Sequence, residues 1–207
     1  MPSPRRSPPP SARQRDPERT RRRILEAAAV EFGAHGFAGA RIRAIAARAG
    51  VNQQLVSYYF DGKEGLYQAM SQQWQQRRSE LVPAGTPMPE QVRRYAREVL
   101  SNPAGVRVLA WSGLEYSGAG EHGAPPEMFE ESLQQLRDLQ AAGRLAAEVD
   151  PVCLLVMLMS AAMATTTLPH VIESVSGADP RSAEFVEHYA DQLALVARLI
   201  GLEAGPA

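Results

Sequence analysis

The sequence predicts an all-α fold: a small N-terminal head of three helices joined to a larger helical body. Three observations lead there. Apolar residues recur every three or four positions along most of the 207 residues, and no stretch alternates with the period of two that a half-buried strand needs. Helix starts are written as an acceptor followed by proline, at Asp16-Pro17, Asn102-Pro103, Asp150-Pro151 and Asp179-Pro180. The Asp or Asn side chain caps a free amide, and proline at the first helical position has no amide to leave unpaired. Charge is also divided, with 12 Lys/Arg against 6 Asp/Glu over residues 1–65 and 10 against 17 over residues 66–207. A basic head on an acidic body gives the head alone the character of a polyanion partner.

Residues 1–16 are rich in Arg, Pro and Ser and have too little apolar content to fold alone, so a disordered basic tail is expected. The run before Ala12 has no apolar core of the kind a secretory signal needs. The tail reads either as solvated chain or as an arm touching phosphates through Arg5, Arg6, Arg13 and Arg15. The head is expected over residues 17–63. Its first helix spans about residues 17–34, with Ile24, Ala28 and Phe32 as the buried stripe and Gly36 as the stop. A short second helix over about residues 41–49 turns Ile42, Ile45, Ala46 and Ala49 inward, and Gly50 breaks it. A third, over about residues 53–59, is capped by Asn52. Asp61 with Glu64 reads as a capping box opening a fourth helix that runs to about residue 81, with Leu66, Met70 and Trp74 on one face.

The body is expected over residues 64–207. After the Pro/Gly linker 82–89, helices are expected over about residues 89–101, 103–117, 126–143, 151–168 and 180–201, with loops over 117–126 and 174–179. Residues 152–168 carry no charge, but Ser160, Thr165, Thr166 and Thr167 interrupt them and no basic cluster flanks them, so a helix buried on most faces is expected rather than a membrane span.

Residues 41–60 read RIRAIAARAGVNQQLVSYYF. Two short helices that cross steeply need a small residue where they touch, supplied by Ala46, and a turn residue tolerant of positive φ, supplied by Gly50. Ile45, Ala49, Val51 and Val56 fill the space behind them. This is the pattern of a DNA-binding helix-turn-helix. With ILEAAAVEFGAHGF, IAARAGV, SYYF and the lysine in DGKEGLY, the run from Thr20 to Leu66 resembles the N-terminal domain of the tetracycline-repressor (TetR) family of bacterial regulators.

The resemblance implies that the third helix enters the major groove of operator DNA. Asn52, Gln53, Gln54 and Ser57 then face base edges, with Asn and Gln suited to adenine. Arg43 is placed for a phosphate or a guanine edge, and Arg41 for the backbone. Tyr58 and Tyr59 donate to phosphate, and Lys63 binds phosphate at the start of the fourth helix. Tyr59 and Phe60 also read as core, and Arg21 to Arg23 as a solvated face. One departure stands out: Ala40 occupies a position where the family usually has Thr or Ser capping the second helix, and Arg41 is the available substitute.

The resemblance further implies a homodimer through the last two helices, with two recognition helices about 34–36 Å apart. The sequence supports this independently, since Phe185, Tyr189, Leu193, Val196 and Ile200 form one stripe and residues 152–168 are too apolar to face water. The family commonly holds an effector in the body, where Trp74, Tyr95, Trp111, Tyr116, Phe129, Met157 and Met163 are the candidate lining, each also readable as plain core. The expected function is a repressor released from its operator by a small apolar or amphipathic effector. The alternative is a DNA-binding regulator controlled by a protein partner, with no small ligand.

No Gly-rich phosphate loop, catalytic carboxylate pair or nucleophile with its base is found, so an enzyme is not expected, nor is a cofactor. Glu184, His188 and Asp191 share a helix face and read as solvated ion-pairing residues rather than metal ligands. Cys153, the sole cysteine, reads as a core residue and suits a cytoplasmic protein.

Overall fold

The structure, a computed structural model, describes residues 10–118 and 127–203, with side chains from Pro17 onward. The described residues form helices and no strand, in two compact units that divide after Trp74.

The first unit holds α1 (Pro10–Gly39), α2 (Ile42–Ala49), α3 (Gln53–Phe60) and the start of α4 (Gly62–Leu81). The first helix begins at Pro10 rather than at Pro17, which lies inside it. The helix-favouring run Ala12-Arg13-Gln14-Arg15 extends α1 backward, and Pro17 removes only one amide from the ladder. Residues 1–9, and with them the arm residues Arg5 and Arg6, lie outside the described residues, as do the side chains of Arg13 and Arg15. The helix breaks at Gly36 as expected, with φ 68° and ψ −178°, a conformation open essentially to glycine alone. The break lets Phe37 turn back onto the helix, so that Phe32, Phe37 and Tyr67 pack as a trio with centroids 5.2 to 6.0 Å apart. Ile24, Ala28, Phe32, Ile45, Ala46, Ala49, Val56 and Leu66 fill the rest of this core.

The second unit holds the end of α4 with α5 (Met88–Ser101), α6 (Pro103–Leu114), α7 (Glu127–Ala141), α8 (Pro151–Ala162), α9 (Ala164–Thr167), α10 (Pro169–Ser176) and α11 (Ala183–Leu199). Helix α5 is central and packs against α6, α8, α9 and α11. Met88, Val92 and Ala96 of α5 join Leu136, Leu154, Leu155, Leu158, Ala190, Leu193 and Ala197 in one core. Arg77 on α4 donates to the buried carboxylate of Glu98 and to Ser101 Oγ, at 3.0 Å, tying α4 to α5. The 82–89 linker is held by Gln91, whose amide donates to the Thr86 carbonyl at 2.7 Å and to Gln135 Oε1 at 2.9 Å.

Several expectations about the body are corrected. The helix expected over 151–168 ends at Ala162, turns at Met163 and resumes as the single turn α9. Pro169 at the first position then opens α10, which the sequence reading passed over and which Gly177 closes in a left-handed conformation. The last helix is capped by Ser182, whose Oγ accepts from the Phe185 amide at 3.2 Å, and not by Asp179. Asp179 caps a tight turn instead, accepting from the Arg181 amide at 2.9 Å. Cys153, expected in the core, is exposed on α8. Among the described residues, no helix is long and apolar enough to cross a membrane.

Candidate nucleic-acid interface

The turn between α2 and α3 is set by Gly50, in the left-handed region at φ 65° and ψ 40°, whose amide returns to the carbonyls of Ala46 and Ala47. A second constraint comes from α1. The Arg23 guanidinium donates to the Ala49 carbonyl, the last free acceptor of α2, and a Cβ on Gly50 would meet Arg23 Nη2 at 2.7 Å. The start of α2 is closed in an unexpected way. Arg41 occupies the cap position without a side-chain cap bond, and the buried Glu31 of α1 accepts the Arg41 amide at 3.3 Å. A carboxylate three turns back along α1 thus replaces the hydroxyl that Ala40 lacks. The signal available in the sequence was Glu31 itself, an acid on the apolar side of α1.

Helix α3 opens with Asn52, whose Oδ1 accepts the Leu55 amide at 2.8 Å, as the sequence predicts. It ends at Asp61, in the left-handed region at φ 55° and ψ 43°, with its amide bonded to the Ser57 carbonyl. Asp61 therefore closes α3, and not, as expected, only the opening of α4; a short polar side chain tolerates that conformation. Val56 and Phe60 face the core, while Asn52, Gln53, Gln54, Ser57 and Tyr58 face outward. Tyr58 is 81% exposed. Arg41 and Arg43 are exposed on and beside α2. Tyr59 is half-buried between the rings of Tyr58 and Phe60, at 5.5 and 6.2 Å. Lys63 Nζ donates to the Ala38 carbonyl at 3.2 Å and lies 4.7 Å over the Phe37 ring, bracing the end of α1. The arginine run on α1 is not wholly a solvated face: Arg21 lies 5.1 Å over the Phe60 ring, and Arg23 holds α2.

This helix-turn-helix coincides with the segment matched by the family described as "Bacterial regulatory proteins, tetR family", which covers residues 24–70. A second family, described as "Tetracyclin repressor-like, C-terminal domain", matches residues 87–194. The repressor SCO4008 of Streptomyces coelicolor is 32% identical over 163 residues, 76% of this chain and 83% of that protein.

The chain belongs to the TetR family.

It is accordingly a helix-turn-helix, DNA-binding transcriptional regulator. The regulatory protein RaaS of Mycobacterium tuberculosis is 55% identical over 47 residues, 23% of this chain and 22% of its own. The solved structure of SCO4942 from Streptomyces coelicolor superposes with a TM-score of 0.69 at 26% identity, covering 89% of this chain and 99% of that one.

In the body of this TetR regulator, the expected effector residues do not form one group. Tyr95 and Phe129 gather at Arg78, which donates to the Tyr95 hydroxyl at 2.8 Å, to the Met128 carbonyl, and lies 5.6 Å from the Phe129 ring. Trp111 and Met163 are half-buried on α6 and at the α8–α9 turn. Met157 is 65% exposed and Tyr116 is exposed as well, so neither lines an interior in the single chain. Trp74 is half-buried at the end of the first unit. The trio of Glu184, His188 and Asp191 on α11 is engaged in part across the helix pair: Asp191 accepts from Arg93 Nε at 2.6 Å. That bond holds the Asp191 carboxyl below its ordinary pKa, with the charge of Arg93 adding to it. Among the described residues, no cluster of His, Cys, Asp and Glu has the arrangement of a metal site.

Proposed function

We propose that this regulator is a dimeric repressor whose α3 reads operator DNA and whose body answers to a small amphipathic effector. The observation that carries the DNA reading is the division of α3. Its inner side is anchored by Val56 and Phe60, and its outer side offers Gln53, Gln54, Ser57 and Tyr58 uncovered, flanked by Arg41 and Arg43. A rigid rod with polar side chains at its leading end suits base edges in a major groove.

Within this reading Gln53, Gln54 and Ser57 set sequence preference, while Arg41, Arg43, Tyr58, Tyr59 and Lys63 hold phosphate. The Asn52 Oδ1 accepts the Leu55 amide as the α3 cap, which holds the side chain at the helix start and leaves its amide nitrogen as the group best placed to donate to a base edge. Support for the dimer comes from the outer faces of α8 and α11, where Val152, Val156, Met157, Leu195, Val196 and Leu199 are exposed in the single chain. Support for the effector comes from the aromatic grouping around Arg78 and from the half-buried Trp111 and Met163. An effector releases DNA only by as much as it favours one head separation over the other.

The test is a gel shift with the region upstream of the protein's own gene. A specific complex at moderate salt is expected, and a metabolite set added to that complex should contain a compound that dissolves it. A protein that retards all sequences equally, or none, would overturn the operator reading. A specific complex that no compound dissolves would overturn the effector reading alone.

A further inference from the structure

The turn at Met163 leaves two hydroxyls in an unusual condition. A threonine or serine inside a helix commonly donates to the carbonyl four residues back. Ser160 does so to Val156 at 2.8 Å, and Thr167 to Met163 at 3.1 Å. Thr165 does not: the Ala161 carbonyl four residues back accepts from the Tyr189 hydroxyl of α11 at 2.7 Å instead. The Oγ1 atoms of Thr165 and Thr166 are both buried, and neither has a hydrogen-bond partner. Thr165 is only 3% exposed. Both sit on α9, the single turn that packs against α5, α6 and α8 inside the second unit.

Two adjacent buried hydroxyls without partners destabilise a folded chain, because each loses its bonds to water and gains none. Valine has the same shape and would remove that loss. Two threonines in succession at such a place are understandable where a bound molecule supplies the missing partners. Resting on the effector reading above, we propose that Thr165 and Thr166 receive the polar end of the effector, and that the effector is a neutral amphiphile bearing a carbonyl or hydroxyl oxygen. A hydroxyl pair both donates and accepts and brings no counter-charge, so it suits a ketone, lactone or alcohol better than a carboxylate or an amine. The site is also linked to α11, since any shift of α9 bears on the Ala161 carbonyl that Tyr189 holds.

The experiment uses the full-length protein, the Thr165→Val/Thr166→Val double variant, and two probe series: alkan-2-ones of eight to twelve carbons (about the size of a drug-like pocket's occupant) and the alkanes of equal length. Thermal unfolding is followed without probe and with each series. Without probe, the valine variant is expected to melt at or above the parent temperature. With probe, the alkanones are expected to stabilise the parent more than the alkanes do, and the valine variant is expected to bind them about tenfold more weakly. A valine variant that melts lower without probe would mean the hydroxyls are satisfied within the fold and would overturn the proposal. Equal stabilisation by ketones and alkanes in both proteins would also overturn it while leaving an apolar effector intact. Alkanones without effect on the parent would overturn the ligand class, and the DNA-release screen then judges the effector reading separately.

Discussion

At the scale of the residue, Gly50 shows how two independent constraints meet on one atom that is not there. Its φ of 65° disfavours any side chain, and Arg23 Nη2 fills the space a Cβ would take. Gly50→Ala is therefore expected to destabilise the protein by about 1–3 kcal/mol in urea unfolding and to weaken DNA binding with it. An unchanged midpoint would show that neither the positive φ nor the Arg23 contact costs the folded state anything. Lys63 invites a different test, since its ammonium already braces Ala38 and Phe37. If it also meets one phosphate, Lys63→Ala will lower the slope of log affinity against log salt by about 0.9. An unchanged slope with a lower melting temperature would make it a brace only. The exposure of Gln53 and Gln54 was readable from their place at the front of a short polar-faced helix. The role of Glu31 at the start of α2 was not, because its partner lies ten residues away on another helix.

Among the elements, the body is organised by the α5–α11 pair. Leu193, Ala190 and Ala197 form its apolar seam, and Arg93–Asp191 and Arg97–Glu187 flank it, with Nε–Oδ1 at 2.6 Å and Nη2–Oε1 at 2.7 Å. Asp191 is held below its ordinary pKa, first by the hydrogen bond from Arg93 and then by its charge. A carboxylate whose pKa is lowered by folding adds stability above its unfolded pKa, and that stability is lost as pH falls through the folded value. Asp191→Asn is thus expected to lower stability slightly at neutral and alkaline pH and to leave it nearly unchanged once pH has fallen below the folded pKa, so that the acid limb flattens, as followed by urea titrations at stepped pH. The pair is exposed to solvent, so the effect is small and should shrink further in high salt. An acid limb identical to the parent's would mean that solvent screens the pair completely.

Helix existence was legible here and helix continuity was not. Apolar spacing located α5, α7, α8 and α11, but the uncharged run 152–168 gave no sign that the chain would turn at Met163. Thr165, Thr166 and Thr167 all lie beyond the break, but a run of β-branched residues lowers helix propensity only slightly and does not mark a turn. Leu168-Pro169 and Gly177 were sufficient signals for α10, a proline at the first position and a glycine at the stop, and they were overlooked beside the longer apolar run.

For the whole molecule, the exposed apolar faces of α8 and α11 are the feature a lone chain cannot explain. Val156 is 57% exposed and Leu199 77% exposed, on the helices expected to pair with those of a second subunit. Val156→Glu combined with Leu199→Glu is expected to yield a monomer in size-exclusion chromatography, with helical content retained by circular dichroism and operator affinity reduced at least tenfold through the loss of one half-site. A variant that still elutes as a dimer would place the interface elsewhere.

The sequence by itself determined the helical class, the head with its turn at Gly50, the outward polar face of α3 and the family. Each of these depends on local spacing, capping and positive-φ tolerance within a few residues of chain. Tertiary structure alone decided that Glu31 and Arg23 close the two ends of α2, that Cys153 and Met157 face outward, and that the Tyr189 hydroxyl donates to the Ala161 carbonyl. Those outcomes depend on which helix lies beside which, and a hydrogen bond between distant residues is selected by packing that no local pattern encodes.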